Sequence, residues 1–344
     1  GEFLTAAWNL GVPHPPGYPI WTISAYLFEH LIPFGNAAWR VNMMSAFYGA
    51  LAAGMLTLLT CKLASRLWGM ERFRDFSIPG VSLEALGQMA GIVAGLVFAF
   101  IDTMWSQAVI TEVYTLNGFF FTALCLLVLR WLHAPRQWRW PGLMALFFGL
   151  SITNHQTILV NSLAFLAAMF FAVRVLCRDT ALLAAIASAI FAWQSNLRFL
   201  WVVVALLLLI YVYLMFSDPE AWSVRNLFTL LFSLMLGGGG LLGFCWLEER
   251  PGNFWGWLAL NKIPAIYFFV GSVTLVAWLA MLFYDLISER AATLRSAAPF
   301  FLSLLMFVAG SSMYVYMPVS SNTNPPMNWG YTRTTEGFRH HITR

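Results

Sequence analysis

The sequence predicts an all-α protein, a polytopic transmembrane helical bundle, and three observations predict it. Of the 344 residues, 60% are hydrophobic and only 10% are charged, with a mean hydropathy of +0.72. No soluble domain solvates a composition like that. Apolar blocks recur at lengths suited to a hydrocarbon core of about 30 Å. Lys and Arg fall on the connections in an alternating pattern, as the positive-inside rule requires.

Taken in order, the chain opens on Gly1 to Pro19, GEFLTAAWNLGVPHPPGYP. Pro13, Pro15, Pro16 and Pro19 fix their own backbone angles and push each preceding residue toward extended conformations, while Gly17 supplies angles closed to other residues. A stiff loop is expected, neither helix nor flexible coil. The chain starts inside this loop and without Met, so it is expected to be a fragment preceded by another helix. Ile20 to Ile32 is apolar but too short to span, and it predicts an interfacial helix in the first outer loop.

Ten apolar blocks then read as spans: Val41 to Leu63, Gly87 to Met104, Val113 to Leu132, Gly142 to Ile152, Ile158 to Leu176, Ala181 to Trp193, Leu197 to Phe216, Asn226 to Leu247, Ile266 to Ile287 and Ala297 to Pro318. The blocks at Gly142 and Ala181 are short, so neighbours or a cavity must shelter their ends. Gly237 to Gly240, inside a span, suits close helix packing. The domain reading is a membrane domain over 1–318, made of an outer loop (1–40) and a bundle (41–318), followed by an outer tail (319–344).

With the opening loop placed outside, 12 of the 19 Lys and Arg lie on the inner connections, among them Arg66, Arg72, Arg74, Arg130, Arg178, Arg225 and Arg290. Arg40, Arg198, Arg250, Lys262, Arg333, Arg339 and Arg344 remain outside. The formal charge of +4 is modest and scattered, which speaks for membrane orientation and gives no nucleic-acid signature. Cys61, Cys125, Cys177 and Cys245 stand singly, so neither a disulfide framework nor a zinc site is indicated. There is no Walker, Rossmann or zincin motif, and nucleotide-driven transport and metalloprotease chemistry have no support.

This topology gathers the polar motifs on one side. Glu2 and Glu112 sit beside apolar segments, where a carboxylate is costly unless paired or used. Glu2 suits a general base toward a hydroxyl acceptor; Glu112 suits either a substrate contact or an acid at a helix N-terminus. His14 can orient a substrate, bond a phosphate oxygen or fill its place in a proline turn. Asn154, His155 and Gln156 break an apolar stretch and concentrate donors and acceptors at one depth, fitting a sugar, a phosphate or a polar hairpin. Arg40 and Arg333 are candidate cations for an anionic leaving group, Arg40 serving equally as an interfacial anchor. Trp329 can stack on a sugar ring or seat the tail. His340 and His341 are not a metal signature.

GEF at the start, LGVPHPPGYP at Leu10 to Pro19, RVN at Arg40, ITEVYTLN at Ile110, TNHQT at Thr153, and NPPMNWG with EGF and HITR in the tail together resemble the protein O-mannosyltransferase-like family of the glycosyltransferase C superfold. The resemblance covers almost the whole chain. It implies an inverting glycosyltransferase that moves a sugar, mannose by the family's habit, from a polyprenyl-phosphate donor to a Ser or Thr hydroxyl of an acceptor protein. The reaction would run on the outer face of a bacterial inner membrane or the lumenal face of the endoplasmic reticulum. It implies an acidic motif in the first outer loop, of which Glu2 is the member present; with His14 from the reading of the residues themselves, Glu2 makes up the catalytic candidates. Tyr18, within HPPGYP, joins Arg40, Glu112, Asn154, His155, Gln156, Trp329 and Arg333 as substrate-binding candidates. The leaving group comes with the lipid-linked sugar phosphate, so no bound cofactor is expected. The alternative from another class is a transporter or lipid flippase, which favours interruptions repeated in both halves of the chain; HPPGYP and TNHQT have no later partner.

Overall fold

The computed structural model describes residues 1–70, 78–195, 198–217, 223–249, 262–287 and 292–342. Among them every regular element is helical, with only the isolated bridges Val12–Asn328 and Ile78–Val81. Arg72, Arg74, Arg250, Arg290 and Arg344 of the charge count lie outside the described residues, as do the side chains of Lys262 and Cys245. The chain divides into two compact units, Gly1–Ser162 with Ser303–Arg344, and Leu163–Leu302.

The first unit holds α1 (Glu2–Trp8), α2 (Pro19–Leu31), α3 (Ala37–Trp68), α4 (Leu83–Phe100), α5 (Asp102–Ala108), α6 (Tyr114–His133), α7 (Arg139–Ile152) and a 3-10 turn, Gln156–Asn161. The second holds α8 (Ser162–Ala172), α9 (Arg174–Ser195), α10 (Phe199–Ser217), α11 (Val224–Glu249) and α12 (Lys262–Ile287). Along α13 (Ala292–Ser311) the chain returns to the first unit, which ends in α14 (Tyr316–Asn322) and α15 (Thr335–Ile342).

Local chemistry sets the helix starts. Pro19 opens α2 at the position where a missing N–H costs nothing. The Asn36 side chain accepts from the Trp39 N–H at 2.9 Å to cap α3, and Ser82 accepts from Ala85 at 3.1 Å to cap α4. Gly87, Gly91 and Gly95 form one stripe of α4 that lies against α3; a Cβ on Gly91 would stand 2.8 Å from the Thr57 carbonyl. Small residues let these backbones meet closely, as membrane helices require. The opposite side of α4, with Met89, Val93 and Val97, is exposed as a lipid-facing surface would be.

The core of the first unit is Ala7 of α1, Trp21 and Ala25 of α2, Val41 and Met44 of α3, and Leu116 and Phe120 of α6, closed by Tyr18 and Val113. Trp21 and Ala25 are four apart, so α2 buries one stripe. Trp21 also donates its indole N–H to the Glu112 carbonyl at 3.1 Å, satisfying a polar atom that burial would otherwise penalise. In the second unit Ala181 and Ala185 of α9 meet Leu207 of α10, and Phe228, Phe232, Trp278 and Phe301 stack together. Gly237 admits Ile186, as expected of a packing glycine.

Two expectations are revised, and a third, the span count, is met only in part. The opening stretch is helical over Glu2–Trp8. EFLTAAW contains neither Pro nor Gly, its first-turn Glu2 favours the helix N-terminus, and Thr5 bonds the Gly1 carbonyl with both N–H and hydroxyl. The prolines begin only at Pro13. Second, Arg178, expected on an inner connection, belongs to no loop, and neither does its neighbour Asp179. They lie buried within α9, where Asp179 accepts from Arg178 of its own helix and from Arg225 and Thr229 of α11. Charges that neutralise one another let the helix run on. Third, against ten expected blocks, six helices among the described residues are long and apolar enough to cross a membrane: Ala37–Trp68, Leu83–Phe100, Tyr114–His133, Arg174–Ala192, Phe199–Ser217 and Arg295–Asn322. Shorter apolar helices cover Gln156–Ala172, Val224–Gly239 and Ser272–Tyr284. The 14 residues of α7 reach only about 21 Å at 1.5 Å per residue.

Candidate active site

The site grows from the way α1 and the proline turn face one another. Helix α1 places Glu2 at its first position, and the chain doubles back through Pro13 to Pro19, with a cis Pro15–Pro16 peptide and Gly17 at φ 87°. Glu2 Oε1 accepts from the backbone N–H of His14 at 2.7 Å and lies 3.0 Å from His14 Nδ1. With its Nδ1 proton on Glu2, the imidazole turns Nε2 toward the Tyr18 hydroxyl, 3.2 Å away. One carboxylate oxygen thus receives two bonds, while Oε2 has no protein partner among the described residues. Glu2 and His14 side chains remain 34% and 40% exposed, enough for a substrate to reach them.

Phe3 packs its ring on His14, Tyr18 and Trp21 at 5.3, 5.3 and 4.8 Å, so the group rests on an aromatic floor. Tyr18 sits at φ 45°, the left-handed region, and its side chain is buried. Burial, with Tyr114, Glu112 and Glu2 adding, pushes its phenol up to about 12. It therefore stays a neutral donor across the working pH range.

From Tyr18 the site continues to His155, whose ring lies 6.1 Å from that of Tyr18 and 5.6 Å from that of Tyr114. The Thr157 N–H donates to His155 Nδ1 at 3.2 Å, and the Thr157 hydroxyl lies 2.8 Å from the same nitrogen. The backbone bond leaves the neutral ring's proton on Nε2. Burial holds the imidazole below its ordinary range, so at neutral pH it is an uncharged N–H donor. Asn154 is fully buried; it donates to the Val113 carbonyl at 3.2 Å and leaves Oδ1 unpartnered.

The structure therefore brings Glu2, His14, Tyr18 and His155 together, with Glu112 close enough to act on Tyr18 electrostatically. It does not bring Arg40 to them. Arg40 donates from Nη1 to the Glu29 carbonyl at 2.6 Å and from Nε to the Phe34 carbonyl at 3.0 Å, holding the C-terminal end of α2. Gln156 ties the turn to the tail through the Ile342 carbonyl at 3.2 Å. Trp329 presents a half-exposed ring, while its backbone N–H donates to the Val12 carbonyl at 2.9 Å. Arg333 lies over the Tyr331 ring and bonds Asn324, at the edge of an open cleft of about 640 Å³ lined also by Thr334, Glu336 and His340. Among the described residues no three His, Cys, Asp or Glu side chains gather as a metal site requires.

The tail is bound to the opening segment over its whole width. Val12 N–H donates to the Met327 carbonyl at 2.8 Å, Tyr316 donates its hydroxyl to the Gly11 carbonyl at 2.9 Å, and Ser320 bonds the Leu10 carbonyl. Sequence reasoning named the two segments separately, missed Tyr114 and Tyr316, and gave His341 no role. For Tyr114 a signal existed, because it neighbours Glu112 in a polar run.

A family model described as the protein O-mannosyl-transferase TMEM260 N-terminal domain matches residues 1–176, just over half of the chain. The chain belongs to this family. Protein O-mannosyl-transferase TMEM260 of Mus musculus is 33% identical over 174 residues, covering 50% of this chain and 22% of that protein. Its counterpart in Dictyostelium discoideum is 27% identical over 129 residues, covering 37% of this chain and 13% of that protein. The chain thus matches less than a quarter of either relative's length. No solved structure matches it significantly. Glu2, His14, Tyr18, Glu112 and His155 all fall inside the family segment, whereas Trp329 and Arg333 lie beyond it.

Proposed function

We propose that this chain is the membrane part of an inverting glycosyltransferase of the glycosyltransferase C type, with about ten crossings once the short apolar helices are counted. In this reading it moves mannose from a polyprenyl-phosphate donor to a Ser or Thr hydroxyl of an acceptor protein, on the outer or lumenal face. One observation carries the reading: Glu2 has one oxygen fixed by the His14 backbone and ring, and the other open. A carboxylate oriented in this way is ready to accept a proton from an incoming hydroxyl. Family membership and the names of its relatives support the reaction class.

The acceptor hydroxyl gives its proton to Glu2 Oε2 as its oxygen attacks the anomeric carbon. The bond from that carbon to the phosphate oxygen breaks with its electron pair, and the configuration inverts. His155, neutral and with its proton on Nε2, donates to the departing phosphate, and Tyr18 keeps His14 aligned. Trp329 and the cleft at Tyr331 and Arg333 offer an aromatic and polar surface for sugar or acceptor. Charge developing on the leaving group is met by donors already in place.

The test is to reconstitute the full-length protein in bilayers with polyprenyl-phosphate [³H]mannose and an acceptor peptide. Label on the peptide is expected, with release of polyprenyl phosphate. Movement of the lipid across the bilayer with no transfer from any polyprenyl-phosphate sugar would establish the flippase alternative instead.

A further inference from the structure

His340 and His341 are adjacent in sequence, and the structure separates the two, leaving His341 outside the reaction above. His340 lines the open cleft, whereas His341 is fully buried. Its Nε2 lies 3.3 Å from the Pro13 carbonyl and its Nδ1 3.2 Å from the Gly337 carbonyl of its own helix. The space for the ring is made by glycine. A Cβ on Gly330 would come within 2.5 Å of His341 Cε1, and Gly330 sits at φ 63°, where other residues are strained.

The Pro13 carbonyl and the His14 N–H belong to one peptide group, which is planar and turns as a unit. His341 faces one end of that group; Glu2 Oε1 accepts from the other end at 2.7 Å. Rotating this plane moves the hydrogen bond that orients Glu2. A donor on the carbonyl also polarises the N–H toward its acceptor.

We propose that His341 is a positioning residue for glycosyl transfer, fixing through Pro13 the peptide plane whose N–H holds Glu2 in line with the acceptor hydroxyl. The proposal rests on Glu2 acting as the base. It accounts for a buried imidazole at the junction of three segments, the proline turn, the Gly330 turn and α15. It also gives the tail, beyond the family-matched segment, a function in the first loop.

Two amides separate this role from simple packing. The side-chain amide of His341→Gln reaches where Nε2 stands and can still donate to Pro13, whereas that of His341→Asn reaches only where Nδ1 stands, toward Gly337. Full-length wild type and both variants are assayed with polyprenyl-phosphate mannose and acceptor peptide, and amide hydrogen exchange at His14 is followed in parallel. Expected are a kcat about 10- to 100-fold lower in His341→Asn with donor KM within about twofold, and recovery to within about fivefold in His341→Gln. His14 exchange should speed up in the Asn variant only. Gly330→Ala, which presses on the ring without removing a nitrogen, should lower kcat in the same sense if the Asn variant proves too unstable to assay. Equal kcat and equal His14 exchange in the Gln and Asn variants, with an active wild type, overturns the proposal alone. A wild type that transfers no sugar overturns the transferase reading and the proposal together.

Discussion

Glu2 and Asp179 are both carboxylates held by several donors, one in each unit, and the difference between them separates a reactive group from a structural one. Asp179 is almost fully buried, and both its oxygens are taken: Oδ1 by Arg178 at 2.9 Å and Thr229 at 3.2 Å, Oδ2 by Arg225 at 2.9 Å. Nothing is left over for a substrate. Glu2 is a third exposed, its donors converge on Oε1, and Oε2 stays open. Incomplete satisfaction at an accessible position therefore favours Glu2 as the proposed base, and complete satisfaction in a buried position marks a staple between α9 and α11.

That contrast breaks most sharply at Glu2. Glu2→Gln keeps the shape and can still bond His14 but accepts no proton, so transfer should fall by about 10²- to 10⁴-fold with an unchanged thermal midpoint. Activity retained within twofold would remove Glu2 from the base role. The reverse pattern is expected at Asp179. Asp179→Asn leaves buried guanidinium groups without their countercharge, which costs about 3–5 kcal/mol. The thermal midpoint in detergent should drop, while kcat per folded molecule stays near wild type; an unaltered midpoint would show that the network does not hold the second unit.

Glu29 sharpens the comparison as a third case. It follows Trp21 and Ala25 on the buried stripe of α2, is fully buried, and has no partner on either carboxylate oxygen among the described residues. Burial pushes its carboxyl from 4.5 up to about 7, against the opposing pull of Arg40. Between those values the folded chain keeps a proton that the unfolded chain has lost. Stability is therefore greatest at the acid end of the window and falls as pH rises toward 7, by about 3 kcal/mol in all. Glu29→Gln should gain on wild type in thermal midpoint as pH is raised from 5 to 8. A constant gap would mean that Glu29 is charged in the folded protein throughout.

How much of this was legible in sequence depended on distance. The proline run, Glu2, and the polar break at Asn154 and His155 stand out because an apolar chain makes polar residues conspicuous. The pairing of Glu2 with His14 does not, because it needs α1 to be a helix and the turn to fold back over it. Arg40 looked free for a phosphate by its nearness to the loop, yet the carbonyls of Glu29 and Phe34 occupy it. Arg178 read as part of an inner connection because it was judged alone, and Asp179 with the partners from α11 makes it tolerable in a helix. The binding of Gly11 to Pro13 by residues near the far end of the chain left no periodic trace at all.

The smallest effect tests the finest distinction, whether Tyr18 aligns His14 or exchanges protons with it. Tyr18→Phe keeps the ring against Phe3 and removes only the hydroxyl 3.2 Å from His14 Nε2. One hydrogen bond of alignment is worth about 1 kcal/mol, so kcat should fall by no more than about tenfold. Because the phenol is pushed up to about 12, it remains protonated across the accessible range. The alkaline limb of the pH–rate profile should then be identical in wild type and variant up to about pH 10. If the limb shifts when the hydroxyl is removed, Tyr18 ionises within the working range and takes part in proton transfer; if it stays, His14 needs Tyr18 only to hold still while Glu2 does the chemistry.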